Sequence, residues 1–588
     1  MRGSGPGVLL LRCIGVGLLL VLGAVPLRAQ VAPLSTPDAG ADETLERETL
    51  LAFEPLSLED VLRHLVGVAM SRRGAVGSLE YTHVLGALPG RVQLSLDGID
   101  LAEPELAFPR LYAIPLAAIE RIQVFRSTDP VRIEVWTRRH TTETAATEID
   151  LGRGDFETRV RRLQLLLPPR WWWVGMRYDE LLRGRQDFRP TPTTAAPASI
   201  GDYDGRGRSL IFGFERQGGE RLRVLLADDF DNAHGSYESV DEITGASRVL
   251  GSLRWWRPLR GWQLVADVTQ QAWERSRGFS TGVQQITETY GRVAVDLEHD
   301  APAGLGGALR LRAADVDGDR EGVAPGPERR RFQRYDGELH LHWRGTFAWN
   351  GWVSVHHRTD LSTEWSARLH GEWSRGPWAL HAQGGRGVSF AGWGESLAPG
   401  DDGARPGIFA AGGVRRQGER LTLSLTGAAK RFDRNGTATA LLFPLLGSGP
   451  THLAGGCAAL ELRLGSSAYP GALQGQLAWT PEVEGERGGL PELQAEVGGR
   501  VAAVQLFHGD LQVALRARWR LEARRDFTSS VSLAPYAAGD VRLDFRLLQR
   551  MLVYWDVQNV ADTAVETHPG VLLPGRTSLI GVRVDLFD

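Results

Sequence analysis

The chain has 588 residues, room for a large core or several domains, so length excludes little. A formal net charge of -4 and a pI near 6.4 remove the electrostatic case for nucleic acid, which needs a basic patch. Lys430 is the only lysine, so nearly all positive charge is arginine, whose fixed fork pairs with carboxylates and suits a polar wall; a codon bias gives the same excess.

Arg2 and Arg12 precede an apolar run from Ile14 to Val25 and a small-residue exit at Leu27-Arg28-Ala29. That is the pattern of a secretory signal peptide over residues 1–29, too short to span a membrane comfortably. Cys13 would leave with it, so Cys457 is the only cysteine of the mature chain and no internal disulfide is expected. No other stretch offers about 18 uninterrupted apolar residues, which excludes a spanning helix and leaves an exported chain that is either soluble or a β-barrel.

Residues 30–54 begin with a Pro-, Ala- and acid-rich run that has little to bury and reads as a flexible leader. Ser57 can cap a helix whose apolar positions Leu58, Val61, Leu62 and Leu65 fall at i, i+3, i+4 and i+7, with Asp60 favourable in the first turn and Gly67 ending it. Val92, Leu94 and Leu96 alternate with Gln93 and Ser95 as a strand, closed by a tight turn at Asp97-Gly98. A short helix entry after Pro115 leads to a second strand, Ile122 to Phe125. Gly74, Gly77 and Gly86 punctuate this compact, loop-rich αβ unit, which spans 55–140 and ends at Thr137-Arg138-Arg139-His140.

The order of these pieces resembles the plug domain of TonB-dependent outer-membrane receptors: a strand ending in Leu96-Asp97-Gly98, then I-P-L-x-x-I-E-R-I-x-V from Ile114 to Val124. Asp60 to Val68 resembles the plug's first helix and the turn after it, and Val131 to Arg138 the strand leading from plug to barrel. The resemblance spans roughly 55–139. It implies that Glu48-Thr49-Leu50-Leu51 is the short acidic-Thr-apolar box offered to TonB; the plain alternative is the leader running into the first strand. Family plugs carry a Gly-rich segment where Ser127-Thr128-Asp129-Pro130 here runs almost directly into Val131, so the plug is abbreviated by about ten residues relative to the resembled pattern.

From Thr147 to the end the chain becomes repeated runs with two-residue alternation. Leu511, Val513, Leu515, Ala517, Trp519 and Leu521 share one face, with Gln512, Arg516, Arg518, Arg520 and Glu522 on the other; Leu339, Leu341 and Trp343 stand against Glu338, His340, His342 and Arg344. Alternation alone fits a soluble sandwich equally well. Strand starts fall near 147, 156, 171, 208, 220, 248, 261, 288, 305, 334, 348, 365, 377, 408, 420, 454, 471, 490, 510, 537, 550 and 576. The gaps then alternate. Tight ones lie at 168–170, 218–219, 258–260, 376, 418, 508–509 and 548–549; long ones fill 181–207, 229–247, 274–287, 316–333, 389–407, 432–453, 523–536 and 560–575. Short turns on one rim and long loops on the other are the arrangement of a membrane barrel. Trp171-Trp172-Trp173, Trp255-Trp256, Trp378 and Trp555 lie near strand ends, as in an aromatic girdle, though tryptophan pairs also serve as core. The C-terminal segment, with Gly581-x-x-Val584-x-Leu586, resembles the end of the family's barrel and the signal read by the barrel-insertion machinery.

No nucleophile elbow, P-loop, H-E-x-x-H, paired-cysteine or EF-hand loop stands in its required context, so an enzyme is the weaker class and no cofactor is expected. His340, His342, His356, His370 and His381 fall on the lumen face by alternation, with His370 and His381 opposite each other and His340 at similar height. His340, His370 and His381 are the candidate ligand or metal set; polar filling of a wall is the bland alternative. The acidic pieces Asp228-Asp229-Asp231, Asp315-Asp317-Asp319 and Asp401-Asp402 offer oxygen ligands for calcium, or are simply solvated.

The expected fold is mainly β: a transmembrane antiparallel barrel of about 22 strands, residues 147–588, with a small N-terminal α+β plug inside the lumen. The resemblance implies a TonB-dependent receptor taking up a scarce nutrient (metal chelate, cofactor or oligomer) across the outer membrane. Expected partners are outer-membrane lipid, the TonB energy-transducing complex, the barrel-insertion machinery and a small-molecule or metal-chelate ligand, with no nucleic acid. The alternative is a degenerate plugged barrel acting as surface binder, sensor or passive pore.

Overall fold

The computed structural model of the chain describes residues 42–50, 58–63, 65, 67–72, 80–84, 91–101, 119–126, 128–137, 145–167, 172–184, 186–187, 199–216, 219–237, 240–279, 282–299, 304–322, 328–390, 403–432, 451–465, 470–480, 491–506, 511–524, 534–547, 550–568, 571–572 and 575–586. The expected signal peptide, the helix entry at Pro115, Leu51, Trp171 and Asp401-Asp402 lie outside them.

Twenty-two antiparallel strands run from Ala146–Gly154 to Thr577–Leu586 and close on themselves, the last pairing with the first from Leu579↔Gly154 to Leu586↔Thr147. Closure satisfies every strand edge, which hydrocarbon cannot do. The outward positions are apolar and exposed: Leu305, Leu309 and Leu311 on one strand, Leu339 and Leu341 on the next, Val353 and Val355 on the third. Such a belt, too large for a water-facing surface, needs lipid to cover it.

At the rim where the chain enters the first strand, connections are tight, as at 260–261, 345–346 and 376–377. Arg260 and Gly261 both take positive φ (42° and 89°), the shape a two-residue hairpin requires. Trp262, Trp343, Phe347, Trp373 and Trp378 are outward and exposed beside these turns, forming an aromatic belt on that rim. Adjacent tryptophans on a strand must part: Trp256 is buried, while its half-buried neighbour Trp255 takes the other face.

At the opposite rim the strands are far apart in sequence across 184–198, 391–403, 433–450, 480–490, 525–535 and 559–576, but only two residues separate Tyr237 from Val240 and Phe279 from Gly282, and five separate Gly322 from Glu328. The loops expected at 229–247, 274–287 and 316–333 are instead largely strand: Arg221–Tyr237, Val240–Leu259, Trp262–Phe279, Gly282–His299, Gly304–Gly322 and Glu328–Arg344 run on as tall hairpins. Their outward positions change from apolar to charged there, which is why hydrophobic alternation ended early.

The N-terminal unit has strands β1 (Glu43–Glu46), β2 (Val68–Arg72), β3 (Glu80–Val84), β4 (Val92–Leu96), β5 (Ile99–Asp100), β6 (Ile119–Phe125) and β7 (Val131–Thr137), with helices α1 (Arg47–Leu50) and α2 (Leu58–Arg63). Its main sheet has the order β1-β6-β7-β4-β5, with β4 and β7 parallel. All the predicted helix positions are buried: Leu58, Val61, Leu62 and Leu65. Residues 42–47, which composition reads as part of a flexible leader, instead form the edge strand and open the helical turn; β1 pairs with β6 from Glu43↔Val124 to Glu46↔Arg121.

Candidate functional site

The plug does not close its own core. Ile211, Leu225 and Leu250, inward positions of three barrel strands, join the buried cluster built from α2, β4, β6 and β7. Apolar continuity across the two units means that displacing the plug must expose both surfaces to water.

A polar socket grips the β4–β5 turn. Asp97 and Gly98 take φ of 51° and 82°, the geometry expected of Asp-Gly. The Asp97 carboxylate accepts hydrogen bonds from the Thr137 amide (3.0 Å) and hydroxyl (2.7 Å), and Arg223 on the barrel wall pairs with it at 2.6 Å. Burial alone would raise its pKa; the Arg223 charge and these hydrogen bonds overcome that and hold the carboxyl well below the usual range. Arg254 donates to the Asp97 carbonyl (2.6 Å) and Arg292 to the Gly98 carbonyl (3.1 Å), while Arg292 also pairs with Asp267 on the wall at 2.7 Å. Gln271 donates to the Asp100 carbonyl at 3.0 Å.

A second seat holds the shortened β6–β7 connection. Arg91 pairs with Asp129 at 2.9 Å and donates to the Arg405 and Pro406 carbonyls of the wall, 3.0 Å each. Lys430 donates to the carbonyls of Arg126 (2.6 Å) and Thr128 (3.0 Å). Gly387 admits this turn: a Cβ there would collide with the Asp129 carbonyl. On the remaining side Gln494 accepts from the Gly67 amide (2.9 Å) and donates to the Val68 carbonyl (3.1 Å). Arg47, directly after β1, grips both carboxylate oxygens of Glu148 on the first barrel strand at 2.6 and 2.7 Å.

Of the residues expected to meet TonB, Leu50 is buried in the plug core, the backbone of Glu48 and Thr49 lies in α1, and Leu51 is outside the described residues. The histidine set divides. His370 and His381 come together with ring centroids 6.5 Å apart, whereas His340 stacks on Trp352 at 4.6 Å and lies beside His342. His356 is engaged by Asp336 (2.7 Å) and Ser366 (3.0 Å). Among the described residues, no three His, Cys, Asp or Glu side chains converge on a metal-sized site. The acidic pieces considered for calcium sit on strands opposite arginines: Asp228 with Arg208, Asp229 with Arg248, Asp315 with Arg331 and Asp317 with Arg329. A guanidinium already neutralises each of these carboxylates, which argues against calcium there.

Sequence reasoning missed the seats themselves: Arg223, Arg254, Arg292 and Gln494. Alternation places these side chains in the lumen, but nothing in one strand names the plug group opposite. The one available signal was Lys430, the sole lysine in an arginine-rich chain.

Residues 38–134 match the family model of the TonB-dependent Receptor Plug Domain. No curated protein matches by sequence. Among solved structures the fold is similar to the copper transporter OprC (TM-score 0.75, 12% identity, covering 94% of this chain and 99% of that one). It is also similar to the ferric yersiniabactin uptake receptor FyuA from Yersinia pestis (0.74, 13%, 93% and 98%). The FrpB iron transporter from Neisseria meningitidis is another (0.75, 10%, 92% and 99%). The chain thus matches the TonB-dependent Receptor Plug Domain by sequence over residues 38–134, and its plugged, closed 22-strand barrel shares the fold of these solved structures.

Proposed function

We propose that the protein imports a scarce nutrient, such as a metal chelate, cofactor or oligomer, across the outer membrane, with the TonB complex supplying the work that displaces the plug. The observation that carries this reading is a lumen filled by a plug seated on the wall at four places, through Arg47, through Asp97, through Arg126–Asp129 and through Gly67–Val68. Its N-terminal edge is β1, bonded to the sheet through β6 alone. A plug held by apolar core and buried ion pairs does not leave by thermal motion at a useful rate, whereas force applied upstream of β1 acts first on the strand with one neighbour. The solved neighbours are named for copper, ferric siderophore and iron transport, which supports metal-linked cargo. Glu48-Thr49-Leu50-Leu51 is the proposed TonB contact, and Leu50 must leave the core to serve it.

Deleting residues 44–54 is expected to abolish uptake under iron limitation while the heat-modifiable barrel still enters the outer membrane. Undiminished uptake by the deleted chain would count against TonB coupling. The short β6–β7 connection and the two-residue gaps between Tyr237 and Val240 and between Phe279 and Gly282 favour a second reading, a plugged barrel that binds or senses without energised transport. Planar-bilayer conductance separates the two readings: a passive pore conducts without TonB.

A further inference from the structure

We propose that His370 and His381 form a two-imidazole binding station on the lumen wall for a divalent copper, nickel or zinc ion that arrives carrying ligands of its own. The two residues lie on the hairpin joined by Gly376-Pro377, in adjacent strands Thr363–Arg375 and Trp378–Phe390. His370 pairs in register with Gln383 and His381 with Glu372, so the imidazoles are diagonal neighbours on one face. Leu369 and Leu380 are exposed on the opposite, outward face, which places both histidines inside. His370 is buried (4% exposed) and His381 half-buried. Nδ1 of His370 and Nε2 of His381 are both buried without a hydrogen-bond partner among the described residues. Two unsatisfied buried ring nitrogens cost free energy that a polar filler would avoid. A shared metal ion satisfies both. Metal–nitrogen bonds of about 2.0–2.1 Å put two imidazole centroids about 5 Å apart at a tetrahedral angle and about 6.4 Å apart when the nitrogens are trans. The observed 6.5 Å fits the trans pair, the arrangement of tetragonal copper or nickel.

Gly413 makes room for this arrangement. It stands opposite His381 on the next strand, and a Cβ there would lie 2.6 Å from Cε1 and 2.8 Å from Nε2 of that ring. Among the described residues no third donor converges on the pair, which fits a ligand that brings donors of its own. A structural zinc site closes with four protein ligands, whereas two imidazoles leave positions open for the ligands of an incoming chelate. Imidazole favours copper, nickel and zinc over magnesium or calcium, and copper binds most tightly in that series. Incomplete coordination also keeps binding weak enough for release, as a conduit requires. His340 lies outside the station, its ring occupied by Trp352.

Only the role of the ion as cargo rests on the import reading; the binding itself does not. The test uses the full chain in detergent, titrated with Cu(II) by calorimetry and examined by electron paramagnetic resonance. One Cu(II) per chain with hyperfine coupling to two imidazole nitrogens is expected. His370→Gln with His381→Gln should weaken binding at least tenfold and remove that signature, whereas His340→Gln should leave both unchanged. Strand content and heat-modifiability report whether the double variant folds. Equal affinity in a folded double variant overturns the proposal. So does a wild-type spectrum without two-imidazole coupling, a result that needs no variant. The 44–54 deletion separates this proposal from the transport reading: if uptake survives it while copper still binds, transport by TonB fails and the station stands.

Discussion

At the residue scale, the carboxylate of Asp97 decides more than any other single group, because it ties the β4–β5 turn both to β7 and to the wall. Asp97→Asn removes the charge facing Arg223 and leaves that buried guanidinium without its partner carboxylate. Breaking a buried pair on one side costs about 3–5 kcal/mol. Faster hydrogen exchange at the Gly98 and Leu101 amides is expected, with the barrel's exchange unchanged. The pH dependence follows from the depressed folded pKa. The contribution is complete above the unfolded carboxylate value of about 4 and is lost as pH falls from there toward the lower folded value. Protection factors of the plug amides in the wild type, corrected for the pH dependence of intrinsic exchange, should therefore be flat from pH 7 to pH 5 and fall only below about pH 4, where the gap to Asp97→Asn closes.

At the element scale, β1 and α1 are where force would enter, and the Arg47–Glu148 pair is the tie between them and the barrel. Arg47→Ala should remove about 1.5–3 kcal/mol of restraint, the worth of hydrogen bonds between charged groups. Arg47→Lys should fall between, since an ammonium cannot reproduce the two-pronged contact. Limited proteolysis within 42–50 measures both. Composition does not reveal this tie, because the acidic run through 42–47 reads as a flexible leader. Most barrel strands were legible: starts expected near 348, 377, 510 and 550 lie at Phe347, Trp378, Leu511 and Met551. Starts expected near 208, 248, 288 and 334 lie earlier, at Ser199, Val240, Gly282 and Glu328. Before Leu210 the outward positions are Asp202, Asp204, Arg206 and Arg208, so no apolar alternation marks that strand. His370 and His381 were legible as neighbours because a tight hairpin fixes register. His340 was not resolved from them, since height along a strand does not reveal that Trp352 lies between.

At the scale of the whole molecule, the outward surface has two zones and the strand Gly304–Gly322 crosses both. Leu305, Leu309 and Leu311 are apolar and exposed, and Asp315 and Asp317 farther along the same face pair with Arg331 and Arg329 of the neighbouring strand. The change of chemistry sets the height at which hydrocarbon ends: below it every outward side chain meets lipid tails, above it water and headgroups. Charge should therefore be penalised by position and not by strand. Leu309→Arg, within the apolar zone, is expected to cost about 2–4 kcal/mol in folding into lipid vesicles, as arginine does near the bilayer midplane. Asp317→Asn, in the charged zone, removes one exposed pair from Arg329 and should cost under about 1 kcal/mol. Reversible folding into vesicles, read by tryptophan fluorescence against urea, measures both. Equal penalties at the two positions would mean that the apolar belt is not what faces the lipid.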